Sequence, residues 1–320
     1  MVTKGAPIPV TVIGGFLGAG KTTLVNHILN GDHGLKVAVL VNDFGAINID
    51  AALITSTEGG LYSLSNGCVC CGLNQGFVEQ LEGLLATRTD IDHIVIEASG
   101  VADPSRIMDT VRYARFAARL RADAIVVVVD AAGFDDAIAA APGLAEAQIG
   151  SADLLVLNKT DLVDREKLDV WHARWTFPDT RIVETTSSRV PFDILFAGQV
   201  LPSGIASTFS AEPVHEPAVS ATWRREGAVD LKCLQKVLTG LPTAVYRAKG
   251  FLRTIGGRRF AVHLVGTRLS FEPMANAPEG LDADNILVLI GFGERSAFET
   301  IMAHLDGCAE PIPPTATGAG

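Results

Sequence analysis

A chain of 320 residues, 48% hydrophobic and 19% charged, carries enough apolar side chain for a large buried core and is not globally disordered. Its net charge of -10 argues against a general nucleic-acid or anionic-membrane binder, because both need clustered Lys and Arg. No apolar signal core follows Met1, and the most apolar run, residues 124–129, is far too short to span a bilayer; the expected compartment is the cytoplasm, where thiols stay reduced.

From residue 8 to about 196, short Val- and Ile-rich runs alternate with helical stretches. Strands are expected at 10–13, 37–41, 93–96, 124–129, 154–157 and 181–183, each apolar on consecutive residues as strands buried on both faces should be. Helices are expected at 21–29, 74–85, 104–120, 145–150 and 165–175, which implies a mostly parallel sheet with right-handed crossovers. A Pro-, Ser-, Ala- and Gly-rich stretch at 199–222 looks like a linker. Beyond it, a helix is expected at 231–238, strands at 243–252, 259–265 and 286–290, and a last helix near 296–305, with Gly256-Gly257 as a hairpin turn. The expected fold class is α/β: a P-loop NTPase domain over residues 1–200, a linker at 201–222, a smaller α+β domain at 223–310 and a loose tail at 311–320.

The first motif follows the first strand. Gly15-Phe16-Leu17-Gly18-Ala19-Gly20-Lys21-Thr22 has the spacing of a phosphate-binding loop. Glycines let backbone N–H groups turn inward around phosphates, and the following helix, which carries Thr23, adds its positive dipole end. Lys21 would reach the β- and γ-phosphates, and the Thr22 hydroxyl would ligate Mg²⁺. Asn42-Asp43-Phe44-Gly45 closes the second strand and is placed to be a switch, with Asp43 as an acidic metal candidate. Glu97, at the end of the strand His93-Ile94-Val95-Ile96, is placed to hold Mg²⁺ or to position the attacking water, and the Gly100 N–H to sense the γ-phosphate. The fifth strand leads to Asn158-Lys159-Thr160-Asp161, the N-K-x-D pattern with which GTPases select guanine. The Asp161 carboxylate can accept hydrogen bonds from guanine N1 and N2 that adenine cannot donate. Thr185-Thr186-Ser187-Ser188 is a candidate loop over the base.

Between switch and acidic strand lies Cys68-Val69-Cys70-Cys71, three of the chain's five cysteines. Thiolates at this spacing favour Zn²⁺, Cu(I) and other soft or borderline ions, and three ligands with one open position suit transfer better than a closed structural site. A reactive thiol pair at Cys70-Cys71 in a redox or assembly factor is the alternative. Cys233 and Cys308 stand isolated in sequence and are read as structural or incidental, and His215 and His263 are read as non-ligands.

Together these motifs resemble the CobW-like metallochaperone GTPases. Arg247-Ala248-Lys249-Gly250-Phe251-Leu252 and Leu289-Ile290-Gly291-Phe292-Gly293 are similar to that family's C-terminal domain, so the resemblance spans nearly the whole chain. It implies slow GTP hydrolysis with Mg²⁺ and delivery of Zn²⁺, Co²⁺, Ni²⁺ or iron to a client metalloprotein or cofactor-synthesis enzyme. Carried over by residue, the phosphate loop with Lys21 and Thr22 binds phosphates and Mg²⁺, Glu97 belongs to the acidic strand motif, Asn158 and Asp161 face guanine, and Cys68, Cys70 and Cys71 form the metal site. Two departures stand out: Asp43 replaces the family's usual Glu, and the linker lacks the His-rich stretch of many relatives. Nucleic-acid and membrane partners are not expected, and the oligomeric state is open, a homodimer included.

Overall fold

The computed structural model describes residues 7–41, 61–63, 75–175, 180–196, 218–274 and 285–309. The chain divides into two compact units, with the boundary in sequence between Phe192 and Asp193.

The first unit is built on a seven-stranded sheet. Its strands are β1 (Ile8–Gly14), β2 (Val37–Val41), β3 (Leu61–Ser63), β4 (His93–Glu97), β5 (Leu120–Asp130), β6 (Leu154–Asn158) and β7 (Ile182–Glu184). They lie in the order β3-β2-β4-β1-β5-β6-β7, and every pairing is parallel. β4 and β6 are buried at every residue, which is why they carry unbroken apolar runs instead of alternation. The chain leaves β1 towards one edge of the sheet and returns to the other side of β1 at β5. That reversal opens a crevice at the carboxyl ends of the central strands, where ligands of open α/β sheets bind.

Helices α1 (Lys21–Leu29), α2 (Gln75–Thr87), α3 (Pro104–Val111), α4 (Phe134–Ala140), α5 (Pro142–Gly150) and α6 (Arg165–Trp175) connect the strands, and α7 (Phe192–Phe196), after β7, carries the boundary between the units. α3 starts cleanly because Asp103 accepts the Ser105 N–H and Pro104 opens the first turn. It ends at Val111, nine residues short of the expected 120. Successive turns, Tyr113 N–H to Thr110 O, Phe116 N–H to Tyr113 O and Arg119 N–H to Phe116 O, replace the helix. They bring Phe116 into the core and free Leu120 to pair with Ile8, so strand pairing overrides the helix propensity of an Ala- and Arg-rich segment. β3 and α4 were also not expected from the sequence; both are short, and α4 is separated from α5 by Ala141 alone.

The second unit is an antiparallel five-stranded sheet in the order β11-β10-β9-β12-β8. Its elements are β8 (Val219–Arg225), α8 (Leu231–Thr239), β9 (Val245–Arg253), β10 (Arg259–Val265), β11 (Arg268–Met274), β12 (Asn285–Gly291) and α9 (Arg295–Asp306). Trp223, Leu252, Leu264 and Leu287 from the sheet meet Leu234, Leu238, Phe298 and Leu305 from the helices in one core. β8 begins inside the stretch expected to be linker: its first residues, Val219 to Thr222, are small and alternate apolar with polar, as an edge strand permits. Arg247 is almost completely buried, and its guanidinium donates to the carbonyls of Ile194 and Leu195.

Cys233 and Cys308, 75 residues apart in sequence, are joined as a disulfide with Cα atoms 5.4 Å apart, the structural one of the two roles expected for them. Asp230 caps α8 by accepting the Cys233 N–H, and its own N–H donates to Cys308 O, so the same corner is tied by backbone and sulfur.

Candidate functional site

The loop between β1 and α1 has a backbone that side chains rarely adopt: Gly15, Gly18 and Gly20 have φ of 131°, 76° and 111°. A Cβ on Gly15 would sit 2.1 Å from Val128 O, and one on Gly20 would sit 2.3 Å from Asn158 Nδ2, so these glycines permit the loop to press on β5 and β6. Around Gly18 nothing lies within 4 Å of that position, so this stretch faces open space. α1 begins at Lys21, and the loop's N–H groups and the helix's N-terminus are together suited to an anion. Lys21 is buried and donates from Nζ to Phe16 O at 3.1 Å, which lays its ammonium across the loop. Ala19 is buried beneath the loop, and Thr23 is exposed on α1.

Thr22 lies beside the acidic strand end. Its hydroxyl donates to Glu97 Oε1 at 2.8 Å. The contact follows from the sheet: β1 and β4 are neighbours with Ile13 opposite Glu97, and Ala98 N–H continues the ladder to Ile13 O. Glu97 is 1% exposed. A hydroxyl and a carboxylate in contact form a hard-oxygen pair that fits Mg²⁺ and not a soft ion.

The N-K-x-D loop is tied to the same place. Asn158, 2% exposed, donates from Nδ2 to Ala19 O at 2.9 Å and accepts the Ser188 N–H at Oδ1 at 2.8 Å. Ser188 Oγ donates to Gly20 O at 3.0 Å. Asn158 thus joins the phosphate loop, β6 and the loop after β7, a wider role than facing a base. Lys159 has φ of 60° and bonds Asp130 Oδ2 at 2.6 Å. Asp161 sits exposed in the short 3-10 turn that follows β6. The non-glycine residues with positive φ among those described are Lys159, Ser187 and Ser188, so backbone strain collects in these two loops.

Asp130, at the end of β5, was not singled out by motif. Burial opposes its ionisation, but Lys159 and the N–H groups of Gly133 and Ala132 outweigh that and hold its carboxyl below the usual range. Ser188 belonged to a candidate loop without a stated contact. Neither position follows a local pattern, because each acts across 29 or more residues.

Cys68, Cys70, Cys71, Asp43 and His215 lie outside the described residues. His263 Nε2 stands 3.7 Å from Glu272 Oε2 on the neighbouring strand. Among the described residues no group of three or more His, Cys, Asp or Glu side chains could hold a metal ion, and no helix is long and apolar enough to cross a membrane.

Residues 9–177 match the family model CobW/HypB/UreG, nucleotide-binding domain. Residues 218–309 match the model Cobalamin synthesis protein cobW C-terminal domain. The zinc chaperone YjiA of Escherichia coli is 36% identical over 212 residues, which cover 63% of this chain and 65% of that protein. The zinc-regulated GTPase metalloprotein activator 1 of Schizosaccharomyces pombe is 36% identical over 195 residues, covering 58% of this chain and 47% of that protein. The matched stretch is therefore less than two thirds of either relative's own length. A crystal structure of the Zn(II)-bound YjiA GTPase from E. coli aligns with a TM-score of 0.47 and 27% identity, covering 95% of this chain and 100% of that chain. With its phosphate loop and N-K-x-D loop joined at one sheet end and an α+β unit following, the chain belongs to the CobW/HypB/UreG family.

Proposed function

We propose that this protein is a GTP-dependent chaperone for a transition metal, with Zn²⁺ or Co²⁺ as cargo before Ni²⁺ or iron, and that GTP hydrolysis releases the ion to a client metalloprotein or cofactor-synthesis enzyme. The observation that carries the nucleotide half is the Thr22–Glu97 contact of 2.8 Å behind the phosphate loop. Thr22 and Glu97 would hold Mg²⁺, which when bound neutralises phosphate charge. Lys21 and the loop amides bind the phosphates. Asp161 accepts from guanine N1 and N2, while Lys159, held by Asp130, flanks the base. Glu97 orients the attacking water, and the Gly100 N–H reads the γ-phosphate. Relatives named zinc chaperone and zinc-regulated GTPase metalloprotein activator support zinc as cargo.

The metal half rests on the thiol spacing. Cys68, Cys70 and Cys71, with Asp43 of the switch motif, are the proposed cargo ligands. GTP with Mg²⁺ raises their affinity for the metal, and loss of the γ-phosphate lowers it. By linkage, metal tightens GTP binding by the same factor. The test is a Zn²⁺ titration of the full chain with a non-hydrolysable GTP analogue or with GDP. Zn²⁺ binds more tightly with the analogue, and Cys68→Ser, Cys70→Ser and Cys71→Ser each weaken it. Equal affinity in the two nucleotide states overturns the coupling, and Zn²⁺ binding that survives all three substitutions overturns the site.

A further inference from the structure

The loop after Glu97 is held from two sides. On one side Gly100 presses on the phosphate loop: a Cβ at Gly100 would lie 2.6 Å from Leu17 Cδ2 and 2.8 Å from Leu17 N. On the other side stands Gln148, in the last turn of α5 and 2% exposed. Its amide Nε2 donates to Ala102 O at 2.8 Å and to Gly100 O at 3.3 Å. One side chain from a helix 46 and 48 residues away therefore fixes two carbonyls of this loop.

The loop is also packed: Ala98 and Ala102 belong to the core, and Gly100 lies against Leu17. Packing limits the volume the loop can occupy, but the hydrogen bonds to Gly100 O and Ala102 O fix which way its peptide planes turn. Gln148 also lines a cavity of about 310 Å³ with Phe16, Leu17, Ala19, Asp130 and Ile149 among others. Holding Gly100 O and Ala102 O fixes the peptide planes on the far side of Gly100 and limits how far its N–H can swing. Leaving those buried carbonyls without a donor carries a desolvation penalty, so the loop would move to recover one.

We propose that Gln148 is a positioning residue: it sets Gly100 for recognition of the γ-phosphate and thereby tunes the discrimination of GTP from GDP. This rests on the reading of the site as a GTP site. Gln148 does not touch the nucleotide; it acts through the loop. Its removal weakens binding of the triphosphate and spares the diphosphate, because GDP lacks the group that Gly100 reads.

The experiment measures the affinities of wild type, Gln148→Met and Gln148→Glu for a fluorescent GDP and a fluorescent non-hydrolysable GTP analogue with Mg²⁺, alongside thermal melting of each variant. Met keeps the volume and removes the donor; Glu adds a carboxylate that faces two carbonyls. The analogue-to-GDP affinity ratio falls about tenfold in Gln148→Met, a change of about 1.4 kcal/mol, and further in Gln148→Glu. A purely structural role would lower melting temperature and both affinities together. Folded variants with a ratio within about twofold of wild type overturn the proposal. Should neither variant fold, hydrogen exchange on wild type decides: residues 99–103 gain protection with the analogue over GDP, and equal protection overturns it. A wild-type protein that binds neither nucleotide sinks the GTP reading itself, an outcome separate from an unchanged ratio.

Discussion

Asn158 holds Ala19 O with one end of its amide and the Ser188 N–H with the other, so one short side chain keeps three loops in register. Replacing Asn158 by Ala leaves both partners without it at a buried position and is expected to cost about 1–3 kcal/mol of stability, read as a lower midpoint in urea. Gly20→Ala is expected to cost a similar amount, about 1–3 kcal/mol, because the new Cβ meets Asn158 Nδ2 at 2.3 Å on a backbone with φ of 111°. Asp161→Asn changes chemistry instead of packing. An amide cannot accept from both guanine N1 and N2, so GTP affinity should fall roughly 100-fold or more. Xanthosine triphosphate, which offers an acceptor at C2, should bind the variant better than the wild type in a competition assay. The phosphate-loop glycines and the N-K-x-D run were legible in sequence because their chemistry is local: special backbone angles and a fixed run of side chains. Asp130 and Gln148 were not legible, because an Asp at a strand end or a Gln on a helix has no meaning until its distant partners are placed.

The end of α1 carries a small aromatic cluster. The His27 ring stacks on Phe192 at 4.6 Å and shares a hydrogen bond with Val190 O at 2.8 Å, while His33 bonds Ile28 O and accepts the Leu35 N–H. Burial lowers the pKa of both histidines; the contact with Val190 O opposes it for His27, and Ile28 O and Asp32 oppose it for His33. A folded pKa below the unfolded value near 6.5 gives a contribution that is complete above 6.5 and is lost as pH falls through the lowered value. Thermal stability should therefore fall on acidification from neutral pH, and His27→Gln should flatten that profile. In the second unit, the Cys233–Cys308 bond closes a span of 75 residues between the start of α8 and the segment after α9. Cys233 and Cys308 should contribute no free thiol to unfolded, unreduced protein, and reduction should release at least two further thiols in a thiol titration. Cys308→Ser should cost about 2–4 kcal/mol, measured by chemical unfolding under oxidising conditions. The strands and helices with strong apolar runs were readable from the chain, as were β9, β10 and β12. β8 and β11 were missed because edge strands need less apolar side chain, and the end of α3 was misplaced because β5 pairing claimed its last residues.

Each unit has its own sheet and its own core. A fragment of residues 193–320, which keeps the Ile194 and Leu195 carbonyls that buried Arg247 needs, should fold alone and melt in one cooperative transition by circular dichroism; a non-cooperative melt would show that its core is not self-sufficient. Sequence alone determined the class of the first unit and the identity of its nucleotide-handling motifs. Unbroken apolar runs separated by helical stretches demand a buried parallel sheet, and a phosphate loop needs glycine wherever backbone must turn towards an anion. It also marked Cys68, Cys70 and Cys71 as soft-metal candidates by ligand type. Only tertiary structure decided how the motifs meet. It placed Thr22 on Glu97, tied Asn158 and Ser188 to the phosphate loop, set Asp130 under Lys159 and Gln148 behind Gly100, and joined Cys233 to Cys308. The physical reason is range: local backbone preference is written in neighbouring residues, whereas a hydrogen bond or a disulfide across 29 to 168 positions exists only once strand order has brought its two ends together.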